Sequence, residues 1–157
     1  MSKPAPRLRA FRLTDAPRVG AWLDGPGVGL PPGNAAARWA EHMVTDPRVQ
    51  AWVAVLGVEP VGFARLDVGP DRIAELTIAI APKRRRQRVG TRVLELVLQQ
   101  ARKLRVRRVQ AIVDAANQAA MSFFGECGFE ELERGGEQRT FVHWIHEADR
   151  EALEIEG

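Results

Sequence analysis

"IAELTIAIAPKRRRQRVGTRVLELVLQQARKLRVRRVQAIVD", residues 73–114, holds a strand, a basic loop, a helix and a second strand. Ile73 to Ala81 reads as a strand. Pro82 stops it, because proline has no N–H for a ladder. Val89, Val93, Leu94, Leu96, Val97 and Leu104 recur at helical spacing and form one apolar face. "RVQAIVD" (108–114) is rich in β-branched residues and reads as a strand. A right-handed crossover through the helix makes the two strands parallel. The stretch therefore predicts a mixed α/β layer fold.

Five of the six residues Lys83 to Arg88 are basic. They stand where a helix begins, at the dipole end that disfavours cations. Either the run is a solvated loop, or a strongly anionic ligand sits there. Net charge is only +3, yet from Lys83 to Arg108 eleven Lys and Arg face one acid, Glu95. Such local asymmetry speaks about binding rather than fold.

Outward from this unit the pattern stays α/β. Arg7 to Leu13 alternates as a first strand, then Thr14 reads as the N-cap of a helix to about Leu23. Asp24 to Asn34 is loop by its Gly and Pro content. Helical spacing returns from Ala35 to Met43. "VQAWVAVL" and "PVGFARLDV" are strands about a turn at Gly57 to Pro60. Downstream, Asn117 to Glu126 is a helix, with Gly128 as its left-handed cap residue. "FEELER" and "RTFVHWI" make a hairpin around Gly135 and Gly136. The reading is one domain over 1–146, followed by an acidic C-terminal tail over 147–157.

A chain of 157 residues is large enough to bury roughly 70% of its unfolded surface. The single cysteine, Cys127, forms no internal disulfide and fits a reducing compartment. "MSKPAPRLRAFRL" holds no apolar h-region, so no secretory signal is expected, and no run approaches about 18 apolar residues. The expectation is a cytoplasmic protein without a membrane partner.

Two motifs carry a resemblance. Ile78-Ala79-Ile80-Ala81-Pro82 followed by Arg85-Arg86-Gln87-Arg88-Val89-Gly90 resembles a strand, Pro, then Gln/Arg-x-x-Gly-x-Gly/Ala. Asn117-Gln118-Ala119-Ala120, then Phe124 and Gly128-Phe129, resembles an Asn after a strand, Ala, Tyr and a Gly-Phe pair. Together, at this separation, they resemble the GNAT superfamily of N-acetyltransferases. The likeness covers nearly the whole chain in element order and is strongest from Ala74 to Leu132. It implies a single-domain, mostly antiparallel sheet with two splayed central parallel strands and helices on both faces. It also implies acetyl-coenzyme A as cosubstrate and direct transfer to a primary amine, on a small molecule or a peptide N-terminus. A homodimer is compatible with it.

By resemblance, the coenzyme pyrophosphate lies at Arg85, Arg86, Gln87, Arg88 and Val89, with Gly90 and Thr91 giving helix N–H groups. The backbone of Ile78 and Ile80 pairs with the pantetheine arm. Asn117 holds the arm from the other side, although Asn also favours helix caps in its own right. By resemblance Phe124 also belongs to the coenzyme-binding set, and two positions of that set depart from the family: Arg88 replaces its first Gly, and Phe124 replaces its Tyr. Phe has no proton to donate, and the chain contains no Tyr.

Acetyl transfer to an amine needs a base for the amine and a donor for the developing oxyanion. Glu75 is the first base, as many relatives carry Glu here. Alternation puts Glu75, Thr77 and Ala79 on one face and Leu76, Ile78 and Ile80 on the other. A partly desolvated Glu75 carboxylate is expected, unless a bulge shifts the facing. Asp114 is the second base, and His143 reads as structural. Two other readings stay open: an acyl-coenzyme A binding module without turnover, and nucleic-acid binding through residues 83–108. The second lacks the interleaved aromatics of a single-strand platform, which makes nucleic acid an unlikely partner.

Overall fold

The computed structural model describes residues 5–23, 35–85 and 87–156. Strands β1 (Arg7–Ala10), β2 (Val49–Leu56), β3 (Glu59–Val68), β4 (Ile73–Ile80), β5 (Arg108–Asp114), β6 (Glu130–Gly135) and β7 (Gln138–Trp144) alternate with helices. The helices are α1 (Ala16–Leu23), α2 (Ala35–Thr45), α3 (Val89–Lys103), α4 (Gln118–Glu126) and α5 (Glu147–Glu156). The strands form one mixed sheet in the order β1-β2-β3-β4-β5-β7-β6. β4 and β5 are parallel, as the crossover requires. Residue contacts group into two units, Met1–Leu66 with Thr77–Val97, and Asp67–Leu76 with Leu98–Gly157.

In the first unit, α1 and α2 bury Val19, Trp22, Leu23, Ala40 and Met43 in a cluster with Val49, Val53, Val55 and Phe63. Phe11 meets Phe63 edge-on at 5.7 Å between ring centroids. β1 pairs antiparallel with β2, from Arg7↔Val55 to Ala10↔Trp52. The first strand is shorter than its alternation suggests, because Leu13–Asp15 turns as a 3-10 helix. That places Thr14 inside the turn, and Asp15 does the capping. Its Oδ2 accepts the Arg12 N–H at 2.8 Å, and its two oxygens accept both terminal nitrogens of Arg9 at 2.8 and 2.9 Å. The Arg9 bond, against the opposing effect of burial, holds the Asp15 carboxyl below the usual carboxylate range.

In the second unit, β5 pairs antiparallel with β7 along its whole length, and β7 with β6. Val109, Ala111, Val113 and Phe141 are buried. The stretch 147–157, expected as a tail, is helical over Glu147–Glu156. Two physical causes are visible. Glu147 and Asp149 lie in the first turn, where the dipole favours acids. Asp149 also pairs with Arg107 at 2.9 Å, and Arg150 with Glu130 at 2.9 Å.

α3 and α4 end in the same motif. After α4, Phe129 N–H donates to Phe124 C=O and Gly128 N–H to Gly125 C=O, with Gly128 at φ +87°. After α3, Val106 N–H donates to Ala101 C=O and Arg105 N–H to Arg102 C=O. Both are Schellman caps, but the left-handed residue of α3 is Arg105, at φ 58°. Arg105→Gly is expected to relieve about 1 kcal/mol. Its melting temperature should rise by roughly 2–4 °C. A calorimetric melt showing no rise would mean that the arginine side chain offsets the backbone cost.

Candidate active site

β4 does not keep one alternation. Ala74 and Leu76 are buried, and Glu75 between them is exposed. Beyond Leu76 the phase slips by one: Ile78 is half-buried and Ala79 is buried. The expected facing therefore holds at Glu75 and fails at Ala79. Gly62 serves the end of the strand by close approach. A Cβ there would meet Ile80 Cδ1 at 3.1 Å, so glycine lets Ile80 lie across β3. Ala81 N–H donates to Val61 C=O at 2.9 Å.

Pro82–Arg84 then turns as a 3-10 helix. Within the basic run the side chains divide. The Arg84 guanidinium is held by the Glu59 carboxylate. Gln87 Nε2 donates back to Lys83 C=O at 3.1 Å. Lys83, Arg85 and Arg88 are exposed, and Val89 is buried and anchors the helix start. Arg86, expected among the phosphate ligands, lies outside the described residues.

Arg88 stands before the first turn of α3, and its C=O accepts Arg92 N–H at 3.3 Å. Its φ is 61°, in the left-handed region. This gives a second physical reason for glycine at this place, besides close approach of backbone to phosphate. The N–H groups of Val89, Gly90 and Thr91, the first turn of a 15-residue helix, have no acceptor within it. These helix-start N–H groups, beside exposed Lys83, Arg85 and Arg88, are the kind of donor set that phosphate oxygens take. No acid interrupts residues 83–91. The cradle fits the phosphates of a coenzyme.

The carboxylates belong to the second unit. The β4–β5 ladder pairs Ile73 with Arg108, Ala74 with Val109 and Glu75 with Gln110. Glu75 pairs with Gln110 at one end of this ladder. Glu75 is exposed rather than partly desolvated, because the neighbours that bury Ala74 and Leu76 cover the opposite face. Asp114 is occupied differently. Its Oδ1 accepts Ala116 N–H at 2.8 Å, and its C=O accepts Asn117 N–H at 2.9 Å. That carboxylate builds the corner between β5 and α4.

Asn117 is the N-cap of α4, and its Oδ1 accepts Ala120 N–H at 3.1 Å. Phe124 is 5% exposed within a ring cluster that includes Phe129 and Phe141. His143 packs its ring 5.4 Å from Phe129. Burial first, then the Arg102 charge, holds its imidazole below the usual range, with the Gly128 backbone opposing. The Arg84–Glu59 pair was not legible in the sequence, since Glu59 comes from a distant hairpin. Among the described residues, no group of three or more His, Cys, Asp or Glu is placed to hold a metal. No described helix is long and apolar enough to cross a membrane.

Residues 19–129 match the model of the acetyltransferase (GNAT) family. No curated protein sequence matches the chain. Among solved structures, an acetyltransferase from Thermus thermophilus is similar, with a TM-score of 0.75 at 28% identity, over 92% of this chain and 99% of that one. A mutant form of the spermidine N-acetyltransferase of Vibrio cholerae gives 0.78 at 17% identity, over 89% and 94%. A GNAT-family acetyltransferase from Streptococcus pneumoniae gives 0.71 at 18% identity, over 90% and 99%. At the lower identities the likeness is one of fold.

Proposed function

The chain belongs to the GNAT family of acetyltransferases, and from that premise we propose how its residues move an acetyl group from acetyl-coenzyme A to an amine. The coenzyme supplies an activated thioester. The N–H groups of Val89, Gly90 and Thr91 bind its phosphates, helped by Arg85, Arg88 and the Gln87 turn. The backbone of Ile78 and Ile80 pairs with the amides of the arm, and a strand N–H near Ile78 polarises the thioester carbonyl. The Asn117 carboxamide NH2, left over from its cap, is a further donor to a ligand.

Glu75 takes the proton of the amine, directly or through water. It is reachable from solvent, has no hydrogen bond or ion pair among the described residues, and stands where the ladder ends. Asp114 is the weaker base, because its carboxylate already holds a turn. Phe124 supplies no acid. The thiolate leaves unassisted or takes a proton from water, which a thiol pKa of about 8.5 permits.

The observation that carries this reading is the open start of α3, with exposed cations before it. Nothing in the fold or the comparisons favours the nucleic-acid reading or a domain without turnover. Melting the protein beside acetyl-coenzyme A, coenzyme A and a DNA duplex tests it. Acetyl-coenzyme A at a hundredfold excess over its Kd should stabilise by about 2.7 kcal/mol. A shift with DNA alone, or none at millimolar coenzyme, would sink it. Acceptors are then screened by thiol release. Spermidine goes first, because a neighbour in fold acts on that polyamine, with amino sugars, amino acids and short peptides beside it. A related spermidine N-acetyltransferase is dodecameric, so assembly is measured by light scattering in the same preparation.

A further inference from the structure

One face of the sheet in the second unit is covered at one end and open at the other. Residues opposite one another in a ladder share a face. Glu75 therefore shares one with Gln110, Gln110 with Val142, and Val142 with Glu130. Two residues further along β5, Ile112 stands on that face opposite Thr140. Alternation from Glu130 adds Leu132 of β6. The reverse face carries Val109, Ala111 and Val113, all buried, and there Phe124 of α4 packs on Phe141.

At the covered end the Arg108 guanidinium lies 5.3 Å from the centre of the Trp144 ring. Arg150 of α5 reaches Glu130 at 2.9 Å, and Val142 is wholly buried. Beyond that level the cover stops. Ile112 is 45% exposed and Leu132 42%. A single exposed apolar residue is ordinary. Ile112 is not in an ordinary place, because β5 is an inner strand with β4 and β7 on either side. An inner strand that faces water usually turns polar residues to it. Ile112 is also one diagonal step from Glu75, roughly 8 Å by strand spacing and rise. That is within reach of a short alkyl chain.

Charge narrows what can lie there. The described carboxylates on this face of β4 to β7 are Glu75, Asp114 and Glu130. Glu130 is paired with Arg150, and Asp114 accepts an N–H of its own turn. Among the described residues, that leaves Glu75 for an ammonium group.

We propose that this open strip takes the body of the acceptor, so that the acceptor is a primary amine on an uncharged apolar chain or ring, with Ile112 and Leu132 favouring it over a polyamine. This rests on the acetyl transfer and the Glu75 base proposed above. The amine meets Glu75 and its carbon chain lies on Ile112, which removes apolar surface from water on both sides. The second ammonium of a polyamine would lie on apolar surface and lose hydration without a partner.

The test gives the full chain acetyl-coenzyme A with hexylamine, phenethylamine, 1,6-diaminohexane or spermidine, and reads thiol release. The parent should prefer hexylamine to 1,6-diaminohexane by about tenfold or more in kcat/KM. Ile112→Thr, which keeps a β-branched strand residue, should lower kcat/KM for hexylamine about fivefold, in KM rather than kcat. Ile112→Glu should reverse the preference between these two amines. Both variants should bind coenzyme A as the parent does, which shows that they fold. A parent that prefers the diamine or spermidine overturns the proposal and leaves acetyl transfer standing. So does an Ile112→Glu form that keeps the parent's preference while binding coenzyme A. Thiol release with none of the four amines overturns it too. If amino sugars, amino acids and short peptides then also fail, the transfer reading falls with it.

Discussion

Phe124→Ala is expected to destabilise the protein by about 3–5 kcal/mol, the range for deleting a buried phenyl ring. The ring lies 5.1 Å from Phe129, 6.2 Å from Phe141 and 5.3 Å from Phe123, centroid to centroid. It is 5% exposed, so truncation removes apolar contact on several sides and leaves a cavity beside the strand residue Phe141. The cap of α4 suffers too, because the ring packs on Phe129, whose N–H closes it on the Phe124 C=O. Urea denaturation at fixed pH measures the effect. A loss under about 1 kcal/mol would mean that the cluster collapses into the space, or that the ring is not core. Phe124→Leu should lose less, since it keeps most of the apolar volume. The position that the family fills with Tyr is thus packed here as core.

Glu75→Gln should leave the melt and the coenzyme A affinity unchanged and lower kcat/KM by roughly a hundredfold or more, the usual scale for a general base. The substitution keeps the shape of the side chain and removes its capacity to take a proton. Glu75 makes no hydrogen bond or ion pair among the described residues, so the exposed variant should fold as the parent does. The deficit should narrow at high pH, where more of the amine is already neutral. Turnover of an identified amine at the parent rate near neutral pH would remove Glu75 as the base. A fall in coenzyme A affinity equal to the fall in kcat/KM would give it a binding role instead.

Much of this architecture was legible from period and punctuation. β5 and the body of α3 follow from β-branched residues and a helical apolar stripe, and Gly128 announces the end of α4. What escaped has physical causes. Thr14 looked like a cap by type, but the Arg9–Asp15 pair, made across a turn, moved the start of the helix. The segment from Glu147 reads as an acidic tail in the sequence, and its helix went unseen because its partners Arg107 and Glu130 are remote in sequence. Left-handed backbone is looked for at glycine, so Arg72 and Arg105 gave no sign of it. Arg88 did give one, by standing where the resembling family has glycine. The phase slip after Leu76 cannot be read from "LTIAI", in which almost every residue suits either face.

The short parallel ladder between β4 and β5 also bears on how the chain finds its fold. β6 and β7 meet across a tight turn at Gly136, a contact between sequence neighbours. Ile73 and Arg108 meet only after the chain has closed a loop that contains all of α3. Loop-closure entropy charges that contact before any hydrogen bond compensates. The hairpin is expected to form first as a local contact, and β5 pairs with its β7 strand along its full length. The parallel seam, long in sequence separation, is expected to form late in assembly, and φ-value analysis of Ala74 and Val109 would give values near zero if it does.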